Sequence, residues 1–264
     1  MNKKIAIIGG GNLGRAIAEG LAGSGFTLPG HILITRRHPA SLRDLEASGI
    51  LVGDDNLEAV SYADTVLVAV KPYQVRELLQ QLQPVLDPAR HVLCSVVTGV
   101  TLADMGAILG DGFPMVRAMP NTAIAIRESM TCLCASGVTP GQTEYIEQLF
   151  GHLGRVARID ERLMDAATVL GACGIAYALR YVRASIQGGI EIGFDATTAA
   201  LIAAQTVKGA AELLIRTGRH PEEEIDKVTT PRGCTIAGLN EMEHRGFSSS
   251  LIKGITASYE KIGH

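Results

Sequence analysis

Gly9, Gly11 and Gly14 in GGGNLG stand directly after a short apolar run and at the opening of a helical pattern. In that setting a G-x-G-x-x-G turn suits a dinucleotide. The first glycine permits the tight turn, the second lets a pyrophosphate approach the backbone, and the third packs helix on strand. Asn12 and Leu13 complete the turn and join the candidate contacts. The alternative is a glycine turn with a purely structural role. About 20 residues further on, an acidic residue would bind the ribose hydroxyls of NAD. The sequence there reads Thr35-Arg36-Arg37, with no acid. Two guanidiniums and a hydroxyl suit a 2′-phosphate through charge-assisted hydrogen bonds, so NADPH is the preferred cofactor expected and NADH the second choice. At least one of the two arginines is expected to face solvent.

Further candidates follow the ends of other predicted strands: Asn56, Val70-Lys71-Pro72, Thr98-Gly99 in SVVTG, and Pro120-Asn121 in RAMPNT. Ligands of open α/β sheets bind at such carboxyl ends, which makes these loops cofactor-lining by position. Lys71 reads equally well as a solvated turn residue. Near the other end of the chain, Pro231-x-Gly233-x-Thr235 closes one segment where a helix begins. The N–H groups of Gly233, Cys234 and Thr235 would form an anion site for a carboxylate there, with hydroxyls from Thr230 and Thr235. A plain helix cap is the equal alternative. Three features point away from chemistry. Cys132-x-Cys134 lies in a strand-like stretch without a second ligand pair, so no metal is expected. The seven histidines are scattered, and Lys208 on an Ala-rich helix is a minor candidate for a proton donor.

The elements that must position these residues alternate through the first half. Strands are expected at Lys3–Ile8, His31–Arg36, Ile50–Gly53, Thr65–Val70, His91–Val97 and Met115–Ala118. Helices are expected at Asn12–Ser24, Pro39–Ser48 and Gln74–Leu82. Continuous β-branched runs indicate strands covered on both faces, hence a parallel, doubly wound α/β domain. After about Asp160 the pattern becomes helical, over 162–192, 195–217, 221–227, 233–245 and 248–262. The chain is thus divided into a dinucleotide-binding domain at 1–160 and a helical domain at 161–264. An unbroken 162–192 helix would run about 45 Å, longer than a domain this size needs. Such a helix, with its Gly- and Ala-rich neighbours, suits a partner subunit.

Composition removes other classes. With 264 residues, 47% hydrophobic and 19% charged, the chain has core enough for one large or two modest domains and is not disordered. A net charge of −3 without long runs of one sign disfavours nucleic acid. The charge-free stretch Ala166–Leu179 falls short of the roughly 20 residues of a bilayer span, so no membrane helix is expected. Residues 1–9 read as strand rather than leader, and five irregularly spaced cysteines fit a reducing compartment, so a cytoplasmic location is expected.

GGGNLG, AVKP, SVVTG, RAMPNT, GACGIAYA and TTPRGCTIAGLNEME resemble, in order and over essentially the whole chain, the pyrroline-5-carboxylate reductase family. The last, similar to that family's T-S-P-G-G-T-T, is the most specific. The resemblance implies an N-terminal Rossmann-type sheet followed by an all-helical dimerisation domain. It also implies reduction of 1-pyrroline-5-carboxylate to proline with NAD(P)H, the last step of proline biosynthesis, by a homodimer or larger homo-oligomer. On this reading Thr230, Gly233, Cys234 and Thr235 bind substrate, Thr235 is the catalytic hydrogen-bond donor, and Asn121 lies near the nicotinamide. The sequence departs from the pattern at Tyr73, Ile175, Arg183, Arg232 and Cys234, where the family usually has glutamine, proline, glutamate, glycine and threonine or alanine. A cyclic imine is basic enough to need no strong side-chain acid, which fits a site short of histidine and carboxylate. The rival readings are another imine reductase or a β-hydroxyacid dehydrogenase, for which Lys208 would matter, or a non-catalytic NADP-binding regulator.

Overall fold

The computed structural model describes residues 3–262. In chain order the elements are β1 (Ile5–Ile8), α1 (Asn12–Ser24), β2 (Ile32–Thr35), α2 (Arg43–Ala47), β3 (Leu51–Gly53), α3 (Asn56–Tyr62), β4 (Thr65–Val68), α4 (Val75–Leu82), β5 (Val92–Ser95), α5 (Leu102–Leu109), β6 (Met115–Met119), β7 (Ser129–Ser136), α6 (Pro140–Gly151) and β8 (Gly154–Arg158). The helical part continues with α7 (Met164–Ala167), α8 (Gly174–Glu191), α9 (Ala196–Thr217), α10 (Pro221–Lys227), α11 (Cys234–His244) and α12 (Phe247–Ile262). By internal contacts the chain forms two compact units that meet in sequence at Cys173 and Gly174.

In the first unit the eight strands form one sheet in the order β3-β2-β1-β4-β5-β6-β7-β8. Strand order reverses between β1 and β4, which opens a crevice at their carboxyl ends. The run Ile5-Ala6-Ile7-Ile8 is buried throughout because each face has its own core. Ile5 and Ile7 pack with Ile17, Leu21 and Phe150 on one side, while Ala6 and Ile8 pack with Ala59, Val60 and Leu79 on the other. The parallel expectation holds through β6 and then fails. The connection 120–128 is too short for a crossover, so β7 runs antiparallel to β6, and α6 carries the chain back to a parallel β8.

Helices α3, α5 and α6 escaped the periodicity reading, although each has a cap legible in the sequence. Asp55 accepts from Leu57 and Glu58 N–H, and the Thr101/Asp104 and Thr139/Gln142 pairs form capping boxes. The 39–48 helix is split, with a 3₁₀ turn at Pro39–Leu42 before α2.

The long 162–192 helix is corrected in one respect: a π-helical turn, Thr168–Cys173, interrupts it between α7 and α8. Two bonds, one from the middle of β6 and one from the turn after it, hold the start of this helical stretch within the first unit. Buried Arg117 donates to Glu161 Oε1 at 2.8 Å, and Asn121 Nδ2 donates to the Gly171 carbonyl at 3.3 Å. Glu161 Oε1 also accepts from Leu102 N–H at 2.7 Å, which ties the first turn of α5 to the same carboxylate.

The second unit is helical, α8 to α12, with few buried side chains. Among its described residues only Ala199 and Ala203 are buried hydrophobics, whereas Leu179, Ile192, Leu201, Ile215, Ile252 and Tyr259 are exposed. Tyr177 and Ser258 hydroxyls hydrogen-bond at 2.6 Å, and Tyr181 meets Phe247 edge-on. Exposed apolar surface on this scale calls for a covering partner. By length and composition alone, the helical stretches Glu161–Glu191 and Ala196–Thr217 reach the length and mean hydropathy of a bilayer span, although the charge-free run within the first is shorter. Charged residues such as Asp165 and Arg180 in the first stretch and Lys208 and Glu212 in the second cut the charge-free runs short, while mean hydropathy averages over them.

Candidate functional site

A cleft of about 880 Å³ lies over the carboxyl ends of β1, β2 and β4. Of the residues expected from sequence it is lined by Gly9, Gly11, Asn12, Leu13, Thr35, Arg36, Arg37, Asn56, Val70, Lys71, Pro72 and Thr98. The turn after β1 is built for close approach. Gly9 has φ +116°, and a Cβ there would sit 2.6 Å from the Ala69 carbonyl oxygen. Gly14 is buried behind the cleft rather than lining it, and a Cβ on it would strike the Gly9 carbonyl. N–H groups of Gly9 and Gly10 donate to the Thr35 carbonyl, which fixes the turn against β2. Helix α1 has Gly11 as its cap residue and no capping side chain, so its first N–H groups are open to an anion.

At the end of β2, Thr35 is buried and its hydroxyl donates to Asn56 Oδ1 at 2.7 Å, which joins two expected cofactor residues into one unit. Arg36 reaches back over the glycine turn, donating from Nη1 to the Gly10 carbonyl at 3.1 Å. Arg37 and His38 are exposed in the cleft. Gly99, Pro120 and Asn121 do not line it. Gly99 makes a left-handed turn after β5, Pro120 is buried, and Asn121 is engaged with Ala123 N–H and the Gly171 carbonyl. Sequence reading missed Asp54, Glu77 and Gln81 in the cleft. The signal for Asp54 was its place just past a strand end. Glu77 and Gln81, four apart on α4, share a helix face.

The second site, in the helical unit, is the start of α11. Its cap residue is Gly233, which has no side chain to accept from the first turn. One expectation is corrected: the Gly233 N–H donates to the Thr230 carbonyl at 2.9 Å, closing the turn, and is not free for a ligand. The N–H groups of Cys234 and Thr235 remain, at the first positions of α11. Among the described residues no hydrogen bond engages the Thr230 or Thr235 hydroxyl. Arg232, where glycine is usual in the family resembled, has φ +61°, the left-handed conformation that glycine adopts freely. Its side chain is exposed. Arg232→Gly is therefore expected to raise unfolding stability by about 1 kcal/mol, the cost of one left-handed L-residue. A higher denaturant midpoint at unchanged m-value checks this.

The Cys132-x-Cys134 pair lies on β7, where burial pushes both thiols up, Cys134 to about 11. Among the described residues no cluster of histidine, cysteine or carboxylate could hold a metal. Ile175, Arg183 and Lys208 lie on the long helices, with Arg183 and Lys208 exposed.

Two family models match. One, described as pyrroline-5-carboxylate reductase dimerisation, covers residues 161–264, and the other, NADP oxidoreductase coenzyme F420-dependent, covers 4–99. The chain is 42% identical to pyrroline-5-carboxylate reductase 2 of Dictyostelium discoideum over 98% of its own length and 92% of that protein. It is 45% identical to pyrroline-5-carboxylate reductase 1 of the same organism over 97% of its length, but spans only about half (49%) of that relative. The structure of a pyrroline-5-carboxylate reductase from Coxiella burnetii superposes with TM-score 0.93 at 30% identity, covering 100% of this chain and 98% of that one. The parallel sheet with its glycine turn, the uncapped start of α11 and this near full-length likeness agree: the chain belongs to the pyrroline-5-carboxylate reductase family.

Proposed function

We propose that the protein reduces 1-pyrroline-5-carboxylate to proline, with NADPH as preferred cofactor, as a homodimer or larger homo-oligomer. The observation that carries this reading is the uncapped, glycine-started α11 beside the Thr230 and Thr235 hydroxyls, which no hydrogen bond engages among the described residues, in a chain whose other unit presents a dinucleotide cleft. The glycine turn fits a pyrophosphate because side chains are excluded at Gly9 and Gly14 by neighbouring backbone. Bound there, the nicotinamide supplies the hydride. The N–H groups of Cys234 and Thr235 hold the substrate carboxylate, and the dipole of α11 adds to their attraction. The Thr235 hydroxyl donates to the substrate and orients the ring, so binding geometry rather than a strong acid sets the rate. Asn121 positions the Gly171 turn from the end of β6 rather than acting on the cofactor directly. The exposed apolar face of α8–α12 is the surface that association buries. Five free cysteines fit a cytoplasmic location.

Arg36→Ala with Arg37→Ala is expected to cut the preference for NADPH over NADH by about tenfold, the size of one or two charge-assisted hydrogen bonds on an exposed loop. Dissociation constants for both nucleotides, before and after the change, test the assignment. Activity is tested by following NADPH consumption with 1-pyrroline-5-carboxylate beside pyrroline-2-carboxylate and a few 3-hydroxy acids, for the parent and Lys208→Ala. Turnover confined to the first substrate and indifferent to Lys208 supports the reading. Turnover of a 3-hydroxy acid that depends on Lys208 moves the chain to the β-hydroxyacid dehydrogenases, and no turnover leaves a nucleotide-binding regulator.

A further inference from the structure

The cleft holds a carboxylate that the arginine-rich end of β2 gives no reason to expect. The Arg36 N–H donates to the Gly53 carbonyl at 3.0 Å, and Thr35 pairs with Gly53 in register. Strands β2 and β3 therefore leave the sheet side by side, and Arg36, Arg37 and Asp54 emerge at the same end of it, all lining the cleft. The next two residues are committed elsewhere. Asp55 Oδ1 accepts from Leu57 and Glu58 N–H at 2.7 and 3.1 Å, and Asn56 is held by Thr35 at 2.7 Å. Asp54 is exposed and, among the described residues, no hydrogen bond or ion pair engages its side chain, not even with the two arginines of the same cleft.

We infer that Asp54 is a specificity-determining residue that accepts from the ribose hydroxyls of an unphosphorylated dinucleotide, so that this protein recognises NADH with a carboxylate from β3 and NADPH with guanidiniums from β2. The inference rests on the dinucleotide reading of the cleft. A carboxylate is the group that recognises a 2′-hydroxyl in such sheets, and nothing in the chemistry requires it to come from β2. Facing a 2′-phosphate, the same carboxylate repels, while Arg36 and Arg37 attract. The two strand ends thus pull the nucleotide preference in opposite directions.

Asp54→Asn changes charge at nearly constant shape on an exposed turn. Calorimetric dissociation constants for NADP⁺ and NAD⁺ with the full-length protein, repeated with 2′,5′-ADP and 5′-AMP, read the effect at the adenosine end. The expected result is about a fivefold weaker NAD⁺ and a two- to threefold tighter NADP⁺, with the fragments following the same signs, as one exposed charge and one hydrogen bond would give. Arg36→Ala with Arg37→Ala moves the ratio the other way. No pyrroline substrate is present, so the outcome is independent of the proposed reaction. Equal changes for both nucleotides, no change for either, or an effect missing from the fragments would overturn the assignment.

Discussion

Thr235→Ala is expected to leave NADPH affinity unchanged and to lower kcat/KM for 1-pyrroline-5-carboxylate by about ten- to a hundredfold, the size of one lost hydrogen bond to a positioned substrate. Thr235 sits in the first turn of α11, half-buried, with its hydroxyl unengaged among the described residues. That arrangement leaves the group available to a ligand. A residue that served only the helix would show the change as lost stability instead, because caps typically contribute about 1 kcal/mol. Thr235→Ser, which keeps the hydroxyl, should recover most of the rate. Lost cofactor affinity would place Thr235 in the nucleotide site, and unchanged activity would reduce the motif to a helix start.

A fragment ending at residue 173 is expected to bind NADPH, run as a monomer and show no reductase activity, while the intact chain runs as a dimer or larger. The cut belongs after 173 because Glu161 and Gly171 are hydrogen-bonded to Arg117 and Asn121 of the sheet unit. A fragment ending at 160 would strand Arg117, buried with 4% exposure, without its carboxylate. Uncompensated buried charge is strongly destabilising, by several kcal/mol in the worst cases and less here because Glu161 is partly solvated. The longer fragment should therefore melt higher than the shorter one. The helices removed carry Leu179, Leu201, Ile215 and Ile252 exposed, the surface whose burial drives association. Light scattering with nucleotide titration checks both the fragment and the intact chain, and a fully active monomeric intact protein would contradict the reading.

The parallel core was legible because β1, β2, β4 and β5 are continuous apolar runs buried on both faces, a pattern that periodicity captures directly. Strand β8, Gly154–Arg158, was not legible, because GRVAR is short, has arginines three apart rather than alternating, and lies at the sheet edge. The π-helical turn was hidden for another reason. TVLGAC is compatible with an ordinary helix, and the Asn121 bond to Gly171 that accompanies the turn comes from a residue 50 positions away. At the site, glycine spacing and strand ends locate the cofactor turn, yet Asp54 carries no such sign, because the pattern that marks a ribose-binding acid belongs to the end of β2. The closed Gly233–Thr230 turn was likewise invisible, since it depends on the left-handed backbone at Arg232, where an arginine gives no sign of it.

On the proposed reading, hydride passes from a nicotinamide to the imine carbon of 1-pyrroline-5-carboxylate on this protein. Incubation with NADPH deuterated at C4 on the transferred face, followed by mass spectrometry of the product, tests it most directly. Proline carrying deuterium at C5, formed in step with NADPH consumed, is the expected result. NADPH oxidation without labelled proline, or label delivered only to a hydroxy acid, would contradict it.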